Sequence, residues 1–211
     1  MWIKNVNGAS RLSNLWNFFR RDPNDFLSRL VTMDETCLCH YDPETKQQSL
    51  EWQHSGSPHP KKFQVQKSTG KVLALIFWDQ DGIHLIDYVP KGQTINVEYY
   101  LSLLVQLKDI LKEKHHGKVT NGVLFLHDNT PAHRALATQK KLAYLGFQCL
   151  GHTPYSPDLA LSVYHLFPGL KNQLKGRHFS SNQEVITAAE TWLEDSILNF
   201  FEWLAEVRTT G

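Results

Sequence analysis

Seven consecutive apolar residues, Val72 to Trp78, lead through Asp81-Gly82 into a second run from Ile83 to Val89. This pattern constrains the chain more than any other feature, because it reads as a β-hairpin whose first strand spans Lys71–Trp78. Ile83, Leu85, Asp87 and Val89 share one face of the returning strand. Upstream, Leu30-Val31-Thr32-Met33-Asp34 forms the centre of another strand within Phe26–Tyr41, entered from a short helical turn. Downstream, Val97, Tyr100, Leu101, Leu104, Leu107 and Leu111 recur at helical spacing between Thr94 and His116, and Gly117 reads as the stop. Gly122 to Leu126 is a short buried strand. Pro131 opens a helix to about Leu145, and Phe147 to Leu150 is a further short strand. Two helices close the chain, the last starting at the capping box Ser181-Asn182-Gln183-Glu184. Three antiparallel strands, helix, strand, helix, strand and helices imply an α/β fold, a mixed sheet with helices on both faces.

The 211 residues suffice for one substantial core. A net charge of +1 makes no global demand for a nucleic-acid partner. No eighteen-residue apolar run is present, so no membrane span is expected, and the first residues do not read as a secretory signal. Cys37, Cys39 and Cys149 point to a reducing, intracellular setting, nuclear or cytoplasmic, without a disulfide framework. The first twenty residues are aromatic and basic, and read as a short helix ended by Asp22-Pro23-Asn24. Residues 42–70 form a long segment rich in Pro, Gly, Ser and Lys, a length that in compact domains is usually functional or disordered.

Asp34 and Asp128 each sit in or at the end of an apolar strand, where a carboxylate is costly unless paired or bound to a cation. Neighbouring strands would bring the two together, and hard oxygen ligands suit Mg²⁺ or Mn²⁺. Two such ions about 4 Å apart support phosphodiester cleavage. Taken singly, either aspartate also fits a plain strand end. His127 and His133 lack a cysteine pair at zinc spacing. His127 is expected to position Asp128 or a DNA phosphate, and Cys37-x-Cys39 to face the core.

The wording around these residues is specific. Thr32-Met33-Asp34-Glu35, His127-Asp128-Asn129-Thr130-Pro131-Ala132-His133 and Tyr155-Ser156-Pro157-Asp158-Leu159-Ala160 occur in this order. So do His40-Tyr41-Asp42-Pro43-Glu44-Thr45-Lys46, Phe77-Trp78-Asp79 and Tyr164-His165-Leu166-Phe167. Over about residues 24–201 the chain resembles the mariner-family DNA transposases. The resemblance implies an RNase H-like catalytic domain with three metal-binding aspartates, the third separated from the second by thirty-four residues. Two match Asp34 and Asp128. The third position holds Val163, and the family's second proline in that phrase is replaced by Leu161. Valine has no electron pair for a cation. Asp158 lies in a proline-containing turn and Glu35 should point away from Asp34, so neither is expected to substitute. The family commonly has Trp where Cys37 stands, which implies lost core packing.

The resemblance further implies that residues 1–23 and 202–211 diverge from the family, that the repeat-binding helix-turn-helix modules are missing, and that the copy is truncated. The segment at about 42–70 matches the family's clamp loop, which reaches to a second subunit. It carries Lys61, Lys62, Lys67 and Lys71 within eleven residues free of acids. These lysines, with His127, Asn129 and His133, are the expected DNA contacts; a solvated surface loop is the plainer reading. Lys112, Lys114, His115, His116 and Lys118 form a second basic cluster suited to the negative end of a helix. The expected function is a transposase-derived domain whose ancestor cut and joined DNA. It is inactive here, binds Mg or Mn weakly or not at all, and binds DNA weakly and non-specifically, with homodimerisation through the clamp-type loop possible. The alternatives are a residual nicking endonuclease using Asp34 and Asp128, and a non-functional transposon relic.

Overall fold

The computed structural model describes residues 20–41, 70–114, 116–150 and 166–209, with side chains as far as residue 196, that of residue 116 excepted. The expectations for residues 1–19, for the loop lysines Lys61, Lys62 and Lys67, for Val163 and for the last two residues lie outside the described residues.

Five strands form one sheet in the order β3-β2-β1-β4-β5. They are β1 (Leu30–Cys39), β2 (Lys71–Asp79), β3 (Gly82–Val89), β4 (Val123–Leu126) and β5 (Phe147–Leu150). β1, β2 and β3 pair antiparallel; β4 and β5 add in parallel on the other side of β1. Helices α1 (Pro23–Arg29), α2 (Val97–Lys114), α3 (His116–Asn121), α4 (Pro131–Arg134), α5 (Leu136–Tyr144), α6 (Phe167–Leu174) and α7 (Asn182–Thr209) complete the described chain.

The apolar run of β2 is explained by burial on both faces. Leu75 and Phe77 join a core with Val31, Met33, Phe125 and Tyr100, Leu104 and Leu107 of α2. Val72, Ala74, Ile76 and Trp78 face a second core with Leu170 and Leu174 of α6 and Val185, Ala189 and Leu193 of α7. The hairpin turns at Gly82, whose φ of +122° suits glycine.

Four boundaries differ from the sequence expectation, each for a local reason. Asp22 caps α1, accepting the Asp25 N–H at 2.9 Å, with Pro23 at the first helical position. α2 starts at Val97 because Asn96 accepts the Tyr99 N–H at 2.8 Å. Gly117 does not stop the helical path; α3 follows, and Gly122 (φ +85°) ends it. The helix from Pro131 breaks at Ala135 (ψ 141°). There Thr138 Oγ1 and Gln139 Nε2 donate to the carbonyls of Ala132 and His133, at 2.6 and 2.9 Å. At α7, Ser181 Oγ accepts the Glu184 N–H at 3.3 Å, while the Glu184 carboxylate reaches back to the Ser180 N–H at 2.8 Å.

The Cys37-x-Cys39 pair is not a core face: Cys37 is exposed and Cys39 buried. The core on that side of β1 takes in Val31 and Met33 but not Cys37. Lys118, expected at a helix end, is instead buried. It pairs with Asp79 and, at 3.0 Å, with Asp81, and Asp79 also holds His84 at 2.5 Å. No described helix is long and apolar enough to cross a membrane.

Candidate functional site

The parallel pairing of β1 with β4 positions the two aspartates. Leu30, Val31 and Thr32 face Leu124, Phe125 and Leu126 in turn. Asp34 follows Thr32 by two residues within β1, and Asp128 follows Leu126 by two, just past the end of β4. Strand alternation puts Val31, Met33, Val123 and Phe125 in the α2-side core. Asp34 and Asp128 have the opposite parity, shared with Leu30, Leu124 and Leu126.

Each carboxylate is anchored locally. Asp34 Oδ1 accepts the Glu35 N–H at 2.8 Å. Asp128 Oδ1 accepts the Thr130 N–H at 3.0 Å, a turn closed by its own side chain, and also bonds His133 Nδ1 at 2.6 Å. Burial alone would raise the Asp128 carboxyl, but the bonds from His133 and Thr130 outweigh it and hold it below the usual range. Glu35 behaves oppositely. Burial pushes its carboxyl up, His133 pulls it down, and the charges of Asp128 and Asp34 push it up again. Three carboxylates thus feel one another at one place.

His133, and not His127, is the histidine that meets Asp128. His127 is 5% exposed and faces away from Asp128. Its Nδ1 bonds Tyr100 Oη at 2.7 Å and its Nε2 meets Cys149 Sγ at 3.3 Å. His133, 1% exposed, is the residue on Asp128. Both rings are buried: strand alternation turns the first inward and packing against Tyr100 encloses the second. Asn129 is half-buried beside Asp128. Lys71 is exposed at the start of β2, opposite Cys39. Asp34 pairs with Ile76, five residues along, so Lys71 stands roughly 17 Å along the strand from Asp34. Sequence reading missed His133 as the partner of Asp128 and Glu35 as a neighbour of the pair. The one available signal was Pro131, because a helix started there returns His133 towards Asp128.

A divalent cation suits this donor chemistry, since hard anionic oxygens that repel one another are relieved by one. Among the described residues no three His, Cys, Asp or Glu side chains converge closely enough to hold a metal ion. Position 163 lies outside them.

A family described as "Transposase (partial DDE domain)" matches residues 42–121. The mariner Mos1 transposase of Drosophila mauritiana is 33% identical over 172 residues, covering 81% of this chain and 48% of that protein. The chain therefore spans about half the length of this curated relative. The crystal structure of the catalytic domain of Mos1 mariner transposase superposes with a TM-score of 0.73 at 26% identity, covering 98% of this chain and 90% of that one. The Mos1 mariner paired end complex with Mn gives a TM-score of 0.79 at 29% identity, covering 96% and 60%.

Proposed function

This chain belongs to the mariner family of transposases and carries its RNase H-like catalytic domain, and from that premise we propose that it is a transposase-derived domain that no longer cleaves DNA. The observation that supports the reading is the β1–β4 pairing of Thr32 with Leu126, two residues before Asp34 within β1 and two before Asp128 just past the end of β4. Those two carboxylates are the proposed holders of Mg²⁺ or Mn²⁺. When bound, such ions polarise the attacking water and stabilise the leaving oxygen. The chain's own contribution is to keep Asp128 ionised through His133 and Thr130 and to fix Asp34 on the central strand. With Val163 at the third position, one carboxylate of the expected set is missing, so cation binding is weak and cleavage is lost.

DNA binding is proposed to persist as weak, sequence-independent contact with phosphates through Lys61, Lys62, Lys67 and Lys71, the first three on the clamp-type loop that would also join two copies.

The test is a plasmid-nicking assay in Mn²⁺. Wild type is expected to leave supercoiled DNA intact. Val163→Asp is expected to bind divalent cations more tightly and to nick slowly without sequence preference, and adding Asp128→Asn should remove that gain. Equal nicking by wild type and Val163→Asp would mean that position 163 is not the missing ligand.

A further inference from the structure

We propose that His133, backed by Glu35, is the positioning residue that aims Asp128 at its cation, an inference resting on the reading of Asp34 and Asp128 as cation ligands. An ionised carboxylate only accepts hydrogen bonds, so His133 Nδ1 must carry the proton in its 2.6 Å bond to Asp128. This bond and the Thr130 N–H both land on Oδ1, which leaves Oδ2 as the oxygen turned to a ligand. The ring cannot swing. It lies 4.0 Å from Tyr100 and is stacked 5.0 Å from His127, centroid to centroid. The break at Ala135 isolates its short helix, and Gln139 pins the His133 carbonyl at 2.9 Å.

The other nitrogen identifies the purpose. Nε2 is buried and has no hydrogen-bond partner among the described residues. Glu35 Oε1 stands 3.7 Å away. That is about 0.7 Å beyond an ordinary N–H···O bond, so a small turn of Glu35 closes a carboxylate–imidazolium–carboxylate bridge when the ring carries a proton on both nitrogens. An apolar ring of the same shape would avoid the cost of the unpartnered nitrogen, so packing alone does not account for an imidazole at this position. Carboxylate ligands held from behind in this way typically lose 10–100-fold in metal affinity when the support is removed.

Two measurements decide the matter. Imidazole ¹⁵N NMR of wild type is expected to show His133 protonated at Nδ1; an unprotonated Nδ1 overturns the bond to Asp128. Mn²⁺ affinity is then read by electron paramagnetic resonance in the Val163→Asp background. His133→Asn keeps an N–H where Nδ1 stands but loses the Nε2 that faces Glu35, and should weaken Mn²⁺ only a few-fold. His133→Phe fills the ring's volume without the donor and should weaken Mn²⁺ by about 10–100-fold. The reverse order, Phe tolerated and Asn not, would show a packing role and overturn the proposal. Failure of Val163→Asp itself to bind Mn²⁺ would overturn the cation reading and the purpose assigned to His133, while the NMR result still states whether the Asp128 bond exists.

Discussion

Gly169 on α6 leaves no room for a side chain: a Cβ there would stand 2.7 Å from Cη2 and Cζ2 of Trp192 on α7. Gly169→Ala is expected to destabilise by about 1–3 kcal/mol through this overpacking, seen as a lower urea midpoint, and Trp192→Leu in the same chain should recover part of the loss. Such contacts are invisible in sequence because they join residues that no local pattern links. Asp34 and Asp128 were legible for the opposite reason, since each stands out against the apolar run that precedes it. His127 drew attention by adjacency to Asp128, yet adjacent strand residues point to opposite faces. His133 reaches Asp128 only because Pro131 starts a helical turn between them.

At the scale of elements, the Asp79–His84–Lys118 cluster ties the β2–β3 hairpin to α3. Burial would raise the Asp79 carboxyl, but the hydrogen bond and charge of His84, and then Lys118, hold it below its ordinary value of 3.8. A depressed folded pKa stabilises the protein above the unfolded value, and that contribution is lost as pH falls through the folded one. Asp79→Asn should therefore be less stable than wild type at neutral pH, and acid titration followed by circular dichroism should show the gap narrowing below about pH 4. Lys118→Met removes one partner of a buried pair. It is expected to cost about 3–5 kcal/mol, towards the lower end because His84 remains on Asp79. The strands were readable from their apolar runs and turn signals and the body of α2 from its helical periodicity. α3 was not, because Gly117 signals a stop that the buried pairing of Lys118 overrides.

For the whole molecule, the mixed sheet follows from the order of its segments, whereas the position of β1 at the centre depends on long-range pairing that no short window reports. The net charge of +1 supplies no overall attraction to DNA. The proposed binding is then confined to a few lysine–phosphate contacts. Its affinity, measured by fluorescence anisotropy, should fall linearly in log–log form with salt, with a slope near −0.9 per phosphate contacted. Replacing Lys61, Lys62 and Lys67 together by Gln should flatten that slope; an unchanged slope would assign the contacts elsewhere. The parallel register of β1 with β4 also makes the two aspartates indifferent to the length of chain between them. Insertions or deletions at the clamp-type loop leave their alignment intact, whereas a single residue added between Leu30 and Asp34 would send Asp34 to the opposite face. The five residues of β1 from Leu30 to Asp34 are therefore a fixed frame, in which a change of length costs the site its carboxylate whatever the length of chain that separates β1 from β4.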